Sequence, residues 1–229
     1  MKDLMNKIKY KELISFAIIL FLFLYLDSII ALVTLSIENV KKLTLTETII
    51  IIFIKYFILI ILFIIKYKDY LIKKWFDFKK NFIKYFEISF KNWFLGFIIM
   101  FVTNIIISSL VPGLGKNESS VQDLIAKLPF IAFILTTIFA PFTEEMVFRK
   151  YLQDCFNNKT IYMIISGLLF GLVHVMGFGS LKEYLLIIPY GSIGLLFAKT
   201  INETDNVYCT IMMHMFHNGA LTLLAIFGL

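Results

Sequence analysis

The chain has 229 residues, 59% of them apolar and 17% charged, with a mean hydropathy of +0.85 and a net charge of +6. Soluble globular domains carry about 45–50% apolar residues, so this composition excludes that class. The basic excess is explained by orientation signals and contacts with anionic lipid, and nucleic acid need not be invoked as a partner.

A bilayer core about 30 Å thick is crossed by about 20 apolar residues at 1.5 Å each. Runs of this kind stand near residues 13–35, 47–65, 89–111, 128–142, 160–176, 183–198 and 208–227. The expected fold is therefore an all-α, polytopic transmembrane bundle of about seven spans plus interfacial helices. It forms a single integral-membrane domain over residues 1–229. Residues 1–111 supply N-terminal helices and a basic connector, and residues 128–229 a core that carries the chemistry. The first run is too long for a signal peptide and lacks an A-x-A-like site, so it reads as a retained helix. The fourth is short and meets Pro141, where it either breaks or continues into charged sequence.

Lys and Arg are retained on the cytoplasmic side during insertion. With the N-terminus inside, the inner segments hold 16 of the 22: four over 2–11, eight over 66–91, then Arg149, Lys150, Lys159 and Lys199. The outer loops hold Lys41, Lys42, Lys116, Lys127 and Lys182. This bias predicts a plasma-membrane protein with a cytoplasmic N-terminus and seven crossings. The stretch 66–91, studded with Trp75, Phe76, Phe78, Phe82 and Phe86, reads as an interfacial amphipathic connector. Cys155 and Cys209 fall on the inner side and read as packed, reduced thiols.

A charge in mid-membrane costs about 2.5–3.5 kcal/mol on insertion scales, so each one needs a partner or a task. Asp27 and Lys55 each lie eight residues from the outer end of their spans, at equal depth in an antiparallel hairpin, and are expected to pair. Glu145 and Arg149 stand four apart, the spacing of a helical salt bridge. Glu144 points about 100° away from them with no evident partner, and a carboxylate in such a setting can serve as a general base. His174 closes "FGLVH", where Gly167 and Gly171 give the G-x-x-x-G spacing of closely packed helices. That seam is expected to bring His174 against the helix of Glu144. In "HMFHN", His214 and Asn218 share a helical face, and two hydrogen-bond donors side by side suit a developing oxyanion.

A base, a second imidazole and an oxyanion pair make a hydrolytic centre in which water is the nucleophile. Neither a G-x-S-x-G elbow nor H-E-x-x-H is present. Zinc stays an open alternative, with Glu144, His174 and His214 as its three ligands; without it, Glu144 and His174 activate water directly.

"PFTEEMVFR", "FGLVH" and "HMFHN", in that order on successive apolar segments, resemble the three motifs of the CPBP (CAAX protease and bacteriocin-processing, Abi) family of intramembrane proteases. The resemblance covers residues 128 to the C-terminus. It implies an endopeptidase in which Glu144 and His174 activate water, Arg149 holds Glu145 near the centre, and His214 and Asn218 stabilise the oxyanion. Members are labelled metalloproteases, and a metal-free glutamate mechanism has also been argued. The family often has Gly after the Arg; Lys150 stands here and would add bulk and charge near the site. His217 is not a motif position and reads as packing.

The implied function is hydrolysis of a peptide bond near the cytoplasmic leaflet, in a peptide precursor or membrane-protein segment rather than a prenylated substrate. The rival from another class is a non-catalytic bacteriocin-immunity or membrane scaffold protein. A proton-relay transporter using Asp27, Lys55 and the histidines is a third. On unbroken helices His174 lies about 21 Å from the inner face and His214 and Asn218 about 9–15 Å, so the stretch 143–159 is expected to dip into the membrane.

Overall fold

A computed structural model describes residues 9–38, 40–110, 116–176 and 181–228. Apart from an isolated bridge at Phe156, the described secondary structure is helical. In chain order, α1 is Tyr10–Glu38, α2 Leu45–Lys80, α3 Phe82–Ser108, α4 Lys116–Lys127, α5 Pro129–Asp154, α6 Lys159–Val175, α7 Ile187–Thr204 and α8 Val207–Phe227. A short 3-10 turn, Leu181–Leu186, leads into α7. Among the described residues, six segments are long and apolar enough to cross a membrane, namely α1, α2, α3, α5, Lys182–Thr204 and α8. The seventh, α6, has 17 residues, about 25 Å at 1.5 Å each.

Polar caps set where the helices begin. Thr44 and Glu47 form a reciprocal capping box at the start of α2, and Asn158 and Asn206 cap α6 and α8 by accepting from Ile161 N and Tyr208 N. The α7–α8 corner turns on Asp205, whose φ of 49° is left-handed.

The basic stretch is not a separate connector. α2 runs 36 residues, about 54 Å, bends at Tyr67 (φ −122°, ψ 16°), and meets α3 at Asn81. Its lower half is tied under the α7–α8 corner: Lys74 pairs with Asp205 at 2.7 Å, and Asn206 donates to Lys74 O at 2.8 Å. Trp75, Phe76 and Phe82 remain exposed, whereas Phe78 is buried.

Asp27 and Lys55 do pair, at 3.0 Å. The glycine seam faces a different partner from the one expected. A Cβ on Gly171 would lie 2.6 Å from Ile187 O, and one on Gly167 2.9 Å from Gly191 O. The seam thus binds α6 to α7, and both sit beside α5.

No re-entrant dip is needed, because the fourth span does not stop at residue 142. α5 continues to Asp154 and carries Glu144 and Glu145 through the bundle. It widens twice into π-helix, at Leu135–Phe139 and Met146–Tyr151. The first widening has a covalent cause. Pro141 has no N–H, and its ring would clash with the carbonyl of Thr137, so the turn before it opens, with Ala140 N bonding Leu135 O.

Candidate active site

The middle of α5 enters the bundle interior, where Glu145 and Arg149 are fully buried. Arg149 Nε lies 3.0 Å from Glu145 Oε2, a charge contact without well-aligned hydrogen-bond geometry. Its Nη1 donates to Ser166 Oγ at 2.9 Å, and Ser166 donates on to Phe148 O at 2.8 Å. The guanidinium lies 4.8 Å from the Phe170 ring centroid and 5.8 Å from that of Phe197. A buried cation needs partners on several sides, and here a carboxylate, a hydroxyl and two π faces supply them.

Glu145 also reaches α8. Its Oε1 accepts from His214 Nδ1 at 2.9 Å. A carboxylate is an acceptor, so Nδ1 carries the proton and Nε2 faces the other way, 3.8 Å from Glu144 Oε2. On α6, His174 Nδ1 lies 2.7 Å from Phe170 O, and a carbonyl can only accept. Hence His174 Nε2 also faces Glu144 Oε2, at 4.0 Å. The ring is held between Tyr190, stacked at 4.7 Å, and Phe170 at 4.5 Å.

Two Nε2 atoms therefore converge on one carboxylate oxygen that is sequestered and has no hydrogen-bond partner among the described residues. Gaps of 3.8 and 4.0 Å are too wide for direct hydrogen bonds and suit a bridging water. The three groups line a cavity of about 890 Å³, together with Asn218.

Asn218 is committed on one side. Its Nδ2 donates to Thr136 O at 3.0 Å. In the π register that carbonyl would serve residue 141, which is proline, so it is free to accept from α8. One Asn218 N–H remains for the cavity.

The other candidates do not face Glu144. His217 also lines the cavity, but it accepts from Trp93 Nε1 at 3.4 Å and packs on Phe97. Lys150 pairs with Asp154 at 2.7 Å and lies over Tyr70, away from Glu144. Cys155 and Cys209 are free and buried. Ser166, Tyr190 and Thr136 have no sequence signal beyond polar residues in apolar helices.

A zinc ion here would draw on Glu144, His174 and His214. Tetrahedral ligands at 2.0–2.2 Å stand about 3.3 Å apart, closer than the 3.8 and 4.0 Å found. Among the described residues no group of three His, Cys, Asp or Glu could hold a metal ion. The arrangement does not fit a three-ligand site.

Comparison with known proteins finds a family match over the part of the chain that carries the site. Residues 126–220 match the family described as type II CAAX prenyl endopeptidase Rce1-like. The UPF0177 protein YxdF of Lactococcus lactis is 26% identical over 182 residues, 74% of this chain and 95% of that one. The putative membrane peptidase YdiL of Bacillus subtilis is 30% identical over 132 residues, 54% of this chain and 51% of that one. The membrane-embedded CAAX protease MroQ of Staphylococcus aureus is 26% identical over 140 residues, 55% of this chain and 53% of that one. The chain thus spans about half the length of these two peptidases. No solved structure matches. The chain is thus similar, through residues 126–220, to the Rce1-like family and to proteins named as membrane peptidases.

Proposed function

We propose that this Rce1-like membrane protein is an intramembrane endopeptidase in which Glu144 is the general base. The observation that carries the reading is Glu144 Oε2, unpartnered among the described residues, facing two Nε2 atoms in the wall of a cavity of about 890 Å³. A water in that gap donates one proton to Glu144 and is oriented by His174 Nε2. Its oxygen attacks the peptide carbonyl carbon and the C=O pair moves onto oxygen. The oxyanion is met by the free Asn218 N–H and by His214 Nε2–H, the form of the ring that donates from both nitrogens while Glu145 holds Nδ1–H. Glu144 returns its proton to the leaving amine as the C–N bond breaks.

Substrates on this reading are peptide precursors or membrane-protein segments. The Lys distribution supports a plasma-membrane protein with its N-terminus in the cytoplasm.

The deciding assay uses purified full-length protein and a quenched fluorogenic peptide, comparing Glu144→Ala, His174→Ala and His214→Ala with the parent. Loss in all three is expected, and chelation should leave the parent unchanged. Intact cleavage in all three variants sinks the peptidase reading in favour of a non-catalytic immunity or scaffold protein. Activity abolished by chelator and restored by zinc would show that a metal does the work assigned to Glu144.

A further inference from the structure

Trp93 on α3 shows where the proton of His217 on α8 sits. An indole N–H can only donate, so at 3.4 Å the Nδ1 of His217 accepts. A ring that accepts at Nδ1 is neutral and carries its proton on Nε2. Trp93 and Phe97 also meet the imidazole in T-shaped contacts. His217 is therefore packed against α3 on one edge, and only 8% of it is exposed. Yet the same residue lines the cavity that holds Glu144. A phenylalanine would fill this place with no polar atoms to satisfy, whereas the imidazole brings an Nε2–H that needs an acceptor.

Three residues with side-chain N–H groups line the cavity from α8: His214, His217 and Asn218. The first and last are those assigned to the oxyanion. His217 stands three residues beyond His214, about 4.5 Å along the helix, and an extended peptide advances about 3.3 Å per residue. We infer that His217 Nε2–H binds a main-chain carbonyl of the substrate, one or two residues from the scissile bond. Leu221, one turn on, and Met100, one turn from Phe97 on α3, line the same cavity and offer no side-chain donor. A peptide carbonyl drawn into such surroundings needs one. His217 is then a binding residue that sets the register of the peptide, beyond the packing role expected from sequence. The inference rests on the peptidase reading above for the identity of the substrate, and on the Trp93 contact and the cavity for the donor.

The test measures kcat and KM of purified full-length variants on the fluorogenic peptide. His217→Phe should raise KM about 3- to 10-fold, the contribution of one neutral hydrogen bond, with kcat within a few-fold of the parent. His217→Gln returns an N–H close to the place of Nε2 and should recover most of the loss. Trp93→Phe cuts the same tie between α3 and α8 but leaves an N–H on the His217 ring, so KM should rise less than in His217→Phe. Binding is read without turnover from the anisotropy of the same peptide, dye-labelled, on Glu144→Ala with and without His217→Phe, and Kd should rise by the same factor. An unchanged KM in His217→Phe, no recovery in His217→Gln, or equal rises in Trp93→Phe and His217→Phe overturns the inference while the peptidase reading stands. A parent that binds the peptide and does not cleave it overturns the peptidase reading, and the two Kd values then decide the inference alone. A parent that does neither overturns both.

Discussion

His214 Nδ1 and Glu145 Oε1 meet at 2.9 Å, while the other oxygen of the same carboxylate faces Arg149 at 3.0 Å. One carboxylate thus neutralises a buried guanidinium on its own helix and fixes the orientation of an imidazole on another. Glu145→Ala removes both functions and leaves Arg149 as an uncompensated buried charge. Breaking a buried pair on one side costs about 3–5 kcal/mol. Arg149→Lys should also fail, because an ammonium cannot both reach Ser166 and lie flat on Phe170. Thermal unfolding in detergent should show both variants well below the parent. If Arg149→Lys unfolds with the parent, the guanidinium shape is not what the core requires.

Adjacent histidines on α8 should behave oppositely. His214 faces Glu144, whereas His217 sits against Trp93 and Phe97. General acid–base and oxyanion groups each supply about 10²–10⁴-fold in rate. His214→Ala should therefore lose activity on that scale, and His217→Phe should stay within a few-fold of the parent in kcat. A loss in kcat as deep for His217→Phe would move it into the reacting centre.

How much of this could be read from the residues differs by kind of information. Glu144, Glu145, Arg149, His174, His214 and Asn218 stand out because ionisable and amide groups are costly in apolar helices. The Asp27–Lys55 pair follows from rise per residue alone. What sequence could not supply was the partner of each contact. Gly167 and Gly171 announce close packing but not against which helix, since α5 and α7 are both neighbours. Local periodicity also cannot show a π-helix, so breaking and continuing at Pro141 could not be told apart; the helix widens just before Pro141 and goes on. α4 lay in sequence expected to be a loop, because its 12 residues mix polar and apolar side chains without a span's length.

The seam between α6 and α7 positions His174 and should be sensitive to a single methyl. On Gly171 a Cβ would stand 2.6 Å from Ile187 O, a backbone atom that cannot rotate away. Overpacking of this kind costs about 1–3 kcal/mol. Gly171→Ala should lower both thermal stability and kcat by displacing His174 from Glu144. Gly219→Ala is the control, because its nearest contact is a side-chain methyl, Thr137 Cγ2, at 3.0 Å. Equal losses in the two variants would show that the seam has no special bearing on the site.

The Asp27–Lys55 pair lies on α1 and α2 and lines no part of the cavity. Either single reversal leaves two like charges facing each other among apolar side chains, where one unpaired charge costs about 2.5–3.5 kcal/mol. The double reversal, Asp27→Lys with Lys55→Asp, should restore stability with kcat unchanged throughout. A single reversal that unfolds normally but loses activity would instead place the pair in a proton pathway.

Pro141 carries the least intuitive prediction. Proline inside a helix costs about 3 kcal/mol relative to alanine, so Pro141→Ala is expected to raise stability or leave it unchanged. The new N–H, however, can bond within α5 and compete for Thr136 O, the acceptor that now holds Asn218 Nδ2 at 3.0 Å. Released from that anchor, Asn218 no longer presents its second N–H to the cavity at a fixed angle. Activity should then fall toward that of Asn218→Ala, about 10²-fold for one lost oxyanion donor, in a protein at least as stable as the parent. Combining the two substitutions separates this from a general disturbance of α5. If Pro141 acts through Asn218, the double variant should be no slower than Asn218→Ala alone. Additive losses would mean that the π-helix serves the site by some contact other than Asn218.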